Sequence, residues 1–107
     1  MYKAPSKEQA LKIAVDYKQS LMNDHVPVVD VMLFGSLARD TAKPGSDIDI
    51  AVIYRKFDDN RWNERMKIRR ARTNFSFPMD IISLRVEDFN DEYSMIAREL
   101  RKGGIAV

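Results

Sequence analysis

The sequence predicts a small α/β (α+β) domain, a mixed β-sheet flanked by helices, on the strength of three observations. Segments with apolar residues at helical spacing alternate with short, continuous apolar runs of strand length. The chain has 107 residues, enough for one domain spanning 1–107 with a modest core but not for two lobes. Finally, a Gly-Ser turn directly follows one apolar run and an Asp-x-Asp pair opens the next. There is no internal repeat, low-complexity tract or linker.

The elements follow in order. Ser6 and Gln9 form a capping box, and Ala10, Leu11, Ala14, Val15, Tyr17 and Leu21 recur at helical spacing, so a first helix covers residues 6–23. Asn23-Asp24-His25 breaks it. His25, the only histidine, lies in this polar turn and is read as a solvated surface residue with no assigned role. Val28 to Phe34 reads as a buried strand, and a short helical turn from Ser36 is ended by the Lys43-Pro44-Gly45 loop. A second strand spans 47–54, a basic helix 60–74 and a third strand 78–84. From about Asp88, the residues Phe89, Tyr93, Ile96 and Leu100 make one stripe on a single last helix. Gly103-Gly104 ends it, and Ile105-Ala106-Val107 adds a short edge strand.

The chemistry concentrates in GSLARDTAKPGSDIDIAV, residues 35–52. On a strand, alternate side chains share a face, so Asp47 and Asp49 project together about 7 Å apart. Two like charges on one face cost stability unless a cation lies between them, and a hard divalent ion takes oxygen ligands while keeping waters and substrate phosphates. The Gly35-Ser36 turn offers backbone N–H groups and a hydroxyl to such phosphates. Asp80 interrupts the apolar run Phe77-Pro78-Met79-Asp80-Ile81-Ile82. If the third strand lies beside the second, Asp80 reaches the Asp47/Asp49 pair and completes a carboxylate triad. Taken singly, each aspartate also fits a plainer role, Asp47 as a turn or N-cap carboxylate, Asp49 as a solvent-facing strand residue and Asp80 as a strand-edge charge. The combination at this spacing favours a site for a nucleotide and a metal.

The pattern GS-x10-D-x-D, with Arg39 three residues after the Ser, resembles the DNA polymerase β-type nucleotidyltransferase superfamily. More narrowly it resembles the minimal nucleotidyltransferase (MNT) domains, the antitoxin half of HEPN/MNT toxin–antitoxin pairs, and the likeness runs through nearly the whole chain. The resemblance implies a polymerase β-like core, ATP as substrate and two Mg²⁺ ions, or Mn²⁺ in their place. It implies that Asp47 and Asp49 hold both ions, and that Asp80 holds the catalytic ion and activates the attacking hydroxyl. It further implies that Gly35 and Ser36 form the triphosphate-binding turn and that Arg39 lies near the phosphates. Arg39 equally fits a surface pair with Asp40. Asp40 itself departs from the Gly that often follows this Arg in the family, placing a negative charge close to bound phosphates.

The remaining features set limits. The net charge of +2 does not demand nucleic acid as a partner. No cysteine is present, which excludes disulfides and thiol or Cys-zinc chemistry. No apolar run approaches the ~20 residues of a membrane span, and the N-terminus lacks a signal-peptide h-region. A soluble, cytoplasmic protein is the expectation. Within residues 61–72, six basic residues surround Trp62 and Met66, which fall on a different side from the stripe Ile68, Ala71 and Phe75. This helix reads as a solvated face, as a partner surface, or as a site steering the phosphates of ATP or RNA, and the sequence leaves all three open.

Three functions fit. The favoured one is AMP transfer from ATP-Mg²⁺ to a hydroxyl of a partner protein, which the resemblance implies to be a tyrosine of a HEPN-domain toxin. Little chain follows the third carboxylate strand, so the acceptor is expected from a partner chain. The second is a small-molecule nucleotidyltransferase like the aminoglycoside-modifying relatives, which normally needs further acceptor-binding structure. The third is a non-catalytic antitoxin that masks its toxin, against which the intact Asp47/Asp49/Asp80 set argues.

Overall fold

The computed structural model describes residues 5–39, 41–43 and 45–107. The expectations for Asp40 and for Pro44 in the loop lie outside the described residues. Helix α1 (Lys7–Asn23) starts at the capping box: the Gln9 N–H donates to Ser6 Oγ at 3.1 Å and the Ser6 N–H donates to Gln9 Oε1 at 2.9 Å. It buries Ala10, Ala14, Tyr17 and Leu21. After it, His25 adopts φ 64°, a left-handed conformation in which His is enriched several-fold among non-glycine residues. His25 therefore has a turn-forming role.

Strand β1 (Val28–Phe34) leads into the one-turn helix α2 (Gly35–Ala38), then β2 (Ile48–Tyr54). Asp47 lies one residue before β2, not on it, because the ladder opens with the Ile48 N–H donating to the Pro78 carbonyl at 3.0 Å. Asn60 caps α3 (Arg61–Arg70) by accepting from the Trp62 N–H at 2.8 Å, and a tighter 3₁₀ turn (Ala71–Asn74) completes the connection to β3 (Met79–Arg85). The predicted single last helix is in fact two, α4 (Val86–Phe89) and α5 (Met95–Gly103), followed by β4 (Ile105–Ala106). Local polar side chains make the break. Asp91 accepts from the Tyr93 N–H at 2.9 Å, and Ser94 caps α5 through the Ala97 N–H at 3.2 Å. Tyr93 consequently leaves the stripe and is 84% exposed.

The sheet is mixed, in the order β3-β2-β1-β4. β1 is antiparallel to β2 and β4, whereas β2 and β3 are parallel, as a helical crossover between them permits. One face, with Val31, Leu33, Ile48, Ile50 and Val52, packs on α1 and on Ile68 and Ala71 of the α3 segment. The opposite face, with Met32, Phe34, Ala51 and Ile53, is covered by Phe89, Ile96 and Leu100. Among the described residues no helix is long and apolar enough to cross a membrane.

A buried charge pins the far end of the sheet. Glu64 is 0% exposed and accepts from Tyr54 Oη (3.0 Å), the Phe57 and Asp58 N–H groups (2.8 and 3.2 Å) and Arg85 Nε (2.8 Å). Burial opposes its ionisation, but these donors outweigh that and hold the carboxyl below its usual range. Burial together with the Glu64 hydrogen bond pushes Tyr54 up to about 12. Glu64 falls on the same helical stripe as Ile68, Ala71 and Phe75, and that position was the signal in the sequence for its burial.

Candidate active site

The site forms at the opposite end of the sheet, where β1 exits and β2 and β3 enter. Gly35 turns the chain with φ 73°, a left-handed conformation that costs glycine little. Phe34 pairs with Asp49, so the turn lies against that carboxylate. A Cβ on Gly35 would collide with Asp49 Oδ2 and meet Asp49 Cγ at 3.1 Å. Glycine is thus required here twice, by conformation and by space. Ser36 follows at the start of α2, and its carbonyl accepts the Thr41 N–H at 2.9 Å. Arg39 caps α2, its N–H donating to the Gly35 carbonyl at 3.2 Å, and its side chain is exposed.

Asp80 is the in-register partner of Asp49 across the parallel β2–β3 ladder. Residues paired this way project to the same face, so the two carboxylates stand side by side. Asp49 is half-buried and Asp80 exposed. Asp47 is exposed and borders a separate shallow cleft with Arg72 and Met79. It still acts on Asp49 electrostatically. Burial raises the Asp49 carboxyl above its ordinary value, Asp80 and Asp47 push it the same way, and Arg39 partly offsets them. Glu99 of α5 adds to the rise. The sequence reading gave Glu99 no site role, because only the packing of α5 carries it to Asp49.

Phe34, Gly35 and Arg39 line a groove of about 800 Å³ against Met95, Ile96 and Glu99 of α5. Apolar and charged walls together suit a ligand with a flat ring and phosphates. The donor set of Asp47, Asp49 and Asp80 offers carboxylate oxygens alone, the kind of ligand a hard divalent cation takes. Among the described residues no group of three or more His, Cys, Asp or Glu side chains is already gathered closely enough to hold a metal ion.

A family model described as "Polymerase beta, Nucleotidyltransferase" matches residues 16–105, and the chain belongs to that family. The chain is similar to a crystal structure of a mutant MntA–HpeT toxin–antitoxin, with a TM-score of 0.62 and 18% identity over 87% of this chain and 70% of that one. It is similar to a toxin–antitoxin crystal structure with AMP-PNP, with a TM-score of 0.60 and 20% identity over 85% and 69%. A crystal structure of a "putative nucleotidyltransferase from Sulfolobus solfataricus" gives 0.60 and 20% identity over 99% and 89%. At these identities the likeness is one of fold. No curated protein matches the chain.

Proposed function

We propose that this chain transfers AMP from ATP to a hydroxyl of a partner protein, a tyrosine of a HEPN-family toxin, and so serves as its antitoxin. The observation that carries the reading is the in-register pair Asp49 and Asp80 beside the Gly35 turn. The fold shared with toxin–antitoxin structures, one of them holding AMP-PNP, supports the choice of nucleotide and partner class.

In this reading the Gly35 and Ser36 groups hold the triphosphate, and Arg39 faces its negative charge from the groove wall. Asp47, Asp49 and Asp80 would hold Mg²⁺, or Mn²⁺ in its place, as two ions. When bound, such ions would supply positive charge against the phosphates and the leaving pyrophosphate. Asp80, exposed at the sheet edge, takes the proton from the incoming hydroxyl. That oxygen bonds to the α-phosphorus, the α–β phosphoanhydride bond breaks, and pyrophosphate leaves with the bond's electron pair.

The test incubates the protein with ATP, Mg²⁺ and the product of the neighbouring gene, and weighs that product by mass spectrometry. A gain of one or more AMP units that vanishes with Asp49→Asn is expected. No gain with metal present, or full toxin neutralisation by Asp49→Asn, overturns the reading and leaves masking in its place.

A further inference from the structure

The two edges of the sheet are unequal. β4 closes one with two residues, whereas the other is the seven-residue β3, which among the described residues pairs only with β2, without a register break. Natural edge strands are commonly guarded by Lys, Pro or a bulge, and the middle of β3, Ile81-Ile82-Ser83-Leu84, has none. A groove of about 310 Å³ lies between these residues and Trp62, Arg65, Met66 and Arg69 of α3. Trp62 is 66% exposed, and neither it nor Met66 belongs to either core cluster. Among the described residues, neither Arg65 nor Arg69 is in an ion pair.

We propose that this edge docks an extended, acidic segment of the acceptor protein as a fifth strand. Main-chain hydrogen bonds to β3 supply affinity, Trp62 and Met66 supply apolar contact, and Arg65 and Arg69 select negative charge. The strand's position gives the docking its purpose. β3 begins at Met79-Asp80, so a segment laid along it runs directly to Asp80 and delivers a hydroxyl there. This last point rests on the proposed AMP transfer. A second copy of the chain is the poorer occupant, because symmetric β3 pairing brings two basic α3 helices together.

The probe is a random copolymer of Glu and Tyr, with a Lys and Tyr copolymer as counter-probe. Trp62 is the only tryptophan, so its emission reports occupancy of the groove without ATP. The Glu/Tyr copolymer is expected to give a saturable change and the Lys/Tyr copolymer none. Arg65→Glu/Arg69→Glu should weaken binding roughly tenfold or more, while Lys12→Glu/Arg55→Glu, the same charge change on exposed residues elsewhere, should not match that loss. Equal losses in the two variants, or equal binding of both copolymers, overturn the proposal. A change in Trp62 emission with protein concentration alone overturns it in favour of self-pairing. Labelled ATP separates the two readings. Label on tyrosine with an unchanged KM for copolymer in Arg65→Glu/Arg69→Glu refutes the groove and spares the transfer. Groove binding intact in wild type without any label supports the groove and refutes the transfer to such a chain.

Discussion

Replacing Gly35 by alanine tests the geometry of the site against a control that the chain itself supplies. Gly35 and Gly45 both have positive φ, 73° and 87°, so a Cβ costs backbone energy at either, about 1 kcal/mol. Only Gly35 is crowded. Its added Cβ meets the Asp49 carboxylate, with Cγ at 3.1 Å and Cβ at 3.3 Å, while at Gly45 nothing lies within 4 Å. Moving Asp49 off its rotamer adds about 1 kcal/mol. The expected costs are therefore about 1 kcal/mol for Gly45→Ala and about 2 kcal/mol for Gly35→Ala, which at about 4 °C per kcal/mol separates their melting temperatures by about 4 °C. The functional contrast is larger. ATP with Mg²⁺ at about a hundred times its Kd stabilises a folded protein by ~2.7 kcal/mol, a rise of roughly 10 °C. Thermal melting with and without ATP-Mg²⁺ should show that rise in wild type and Gly45→Ala but not in Gly35→Ala. In Gly35→Ala/Asp49→Ala the excess cost should largely disappear, since the colliding oxygen is gone. If Gly35→Ala costs no more than Gly45→Ala and keeps the full rise, the turn does not position Asp49 and the reasoning fails.

Three further outcomes are expected. Asp49→Asn should abolish most of the ATP-Mg²⁺ rise while leaving the metal-free protein as stable or more so, because a repulsion with Asp80 and Asp47 is removed; melting curves of both forms check this. Ser36→Ala should weaken the response to ATP but leave Mn²⁺ binding, followed by electron paramagnetic resonance, mostly intact. Glu64→Gln should destabilise by roughly 3 kcal/mol at neutral pH, since an amide cannot satisfy all four donors now held by the buried carboxylate. The Glu64 carboxyl is depressed in the folded state, so its contribution is full above the unfolded value of ~4.3 and is lost as pH falls through the folded value. Urea unfolding from pH 7 down to pH 3 should accordingly show a shallower acid loss in Glu64→Gln than in wild type.

Much of this fold was legible because its signals are local. The Ser6/Gln9 box opens α1, the continuous apolar runs become β1, β2 and β3, and Gly35 turns the chain where the Gly-Ser pair stands. Capping, periodicity and positive φ are decided within a few residues, so a linear pattern carries them. The boundary of β2 and the break in the last helix were less legible. Asp47 sits outside the ladder because Ile48 finds Pro78, 30 residues on, and Tyr93 swings out because Asp91 and Ser94 divert nearby N–H groups.

The sequence by itself determined the kinds of group at the candidate site: three aspartates, a Gly-Ser turn and an arginine at fixed spacing. Their arrangement was decided only by the tertiary structure. Asp49 stands beside Asp80 because β2 and β3 pair in parallel with that register, a choice made by the crossover helix and the burial of both faces rather than by either strand alone. The approach of Glu99 to Asp49, and the open edge of β3 beside Trp62, likewise come from packing between distant segments. Strand register and helix docking depend on which surfaces meet, and that information is spread along the whole chain.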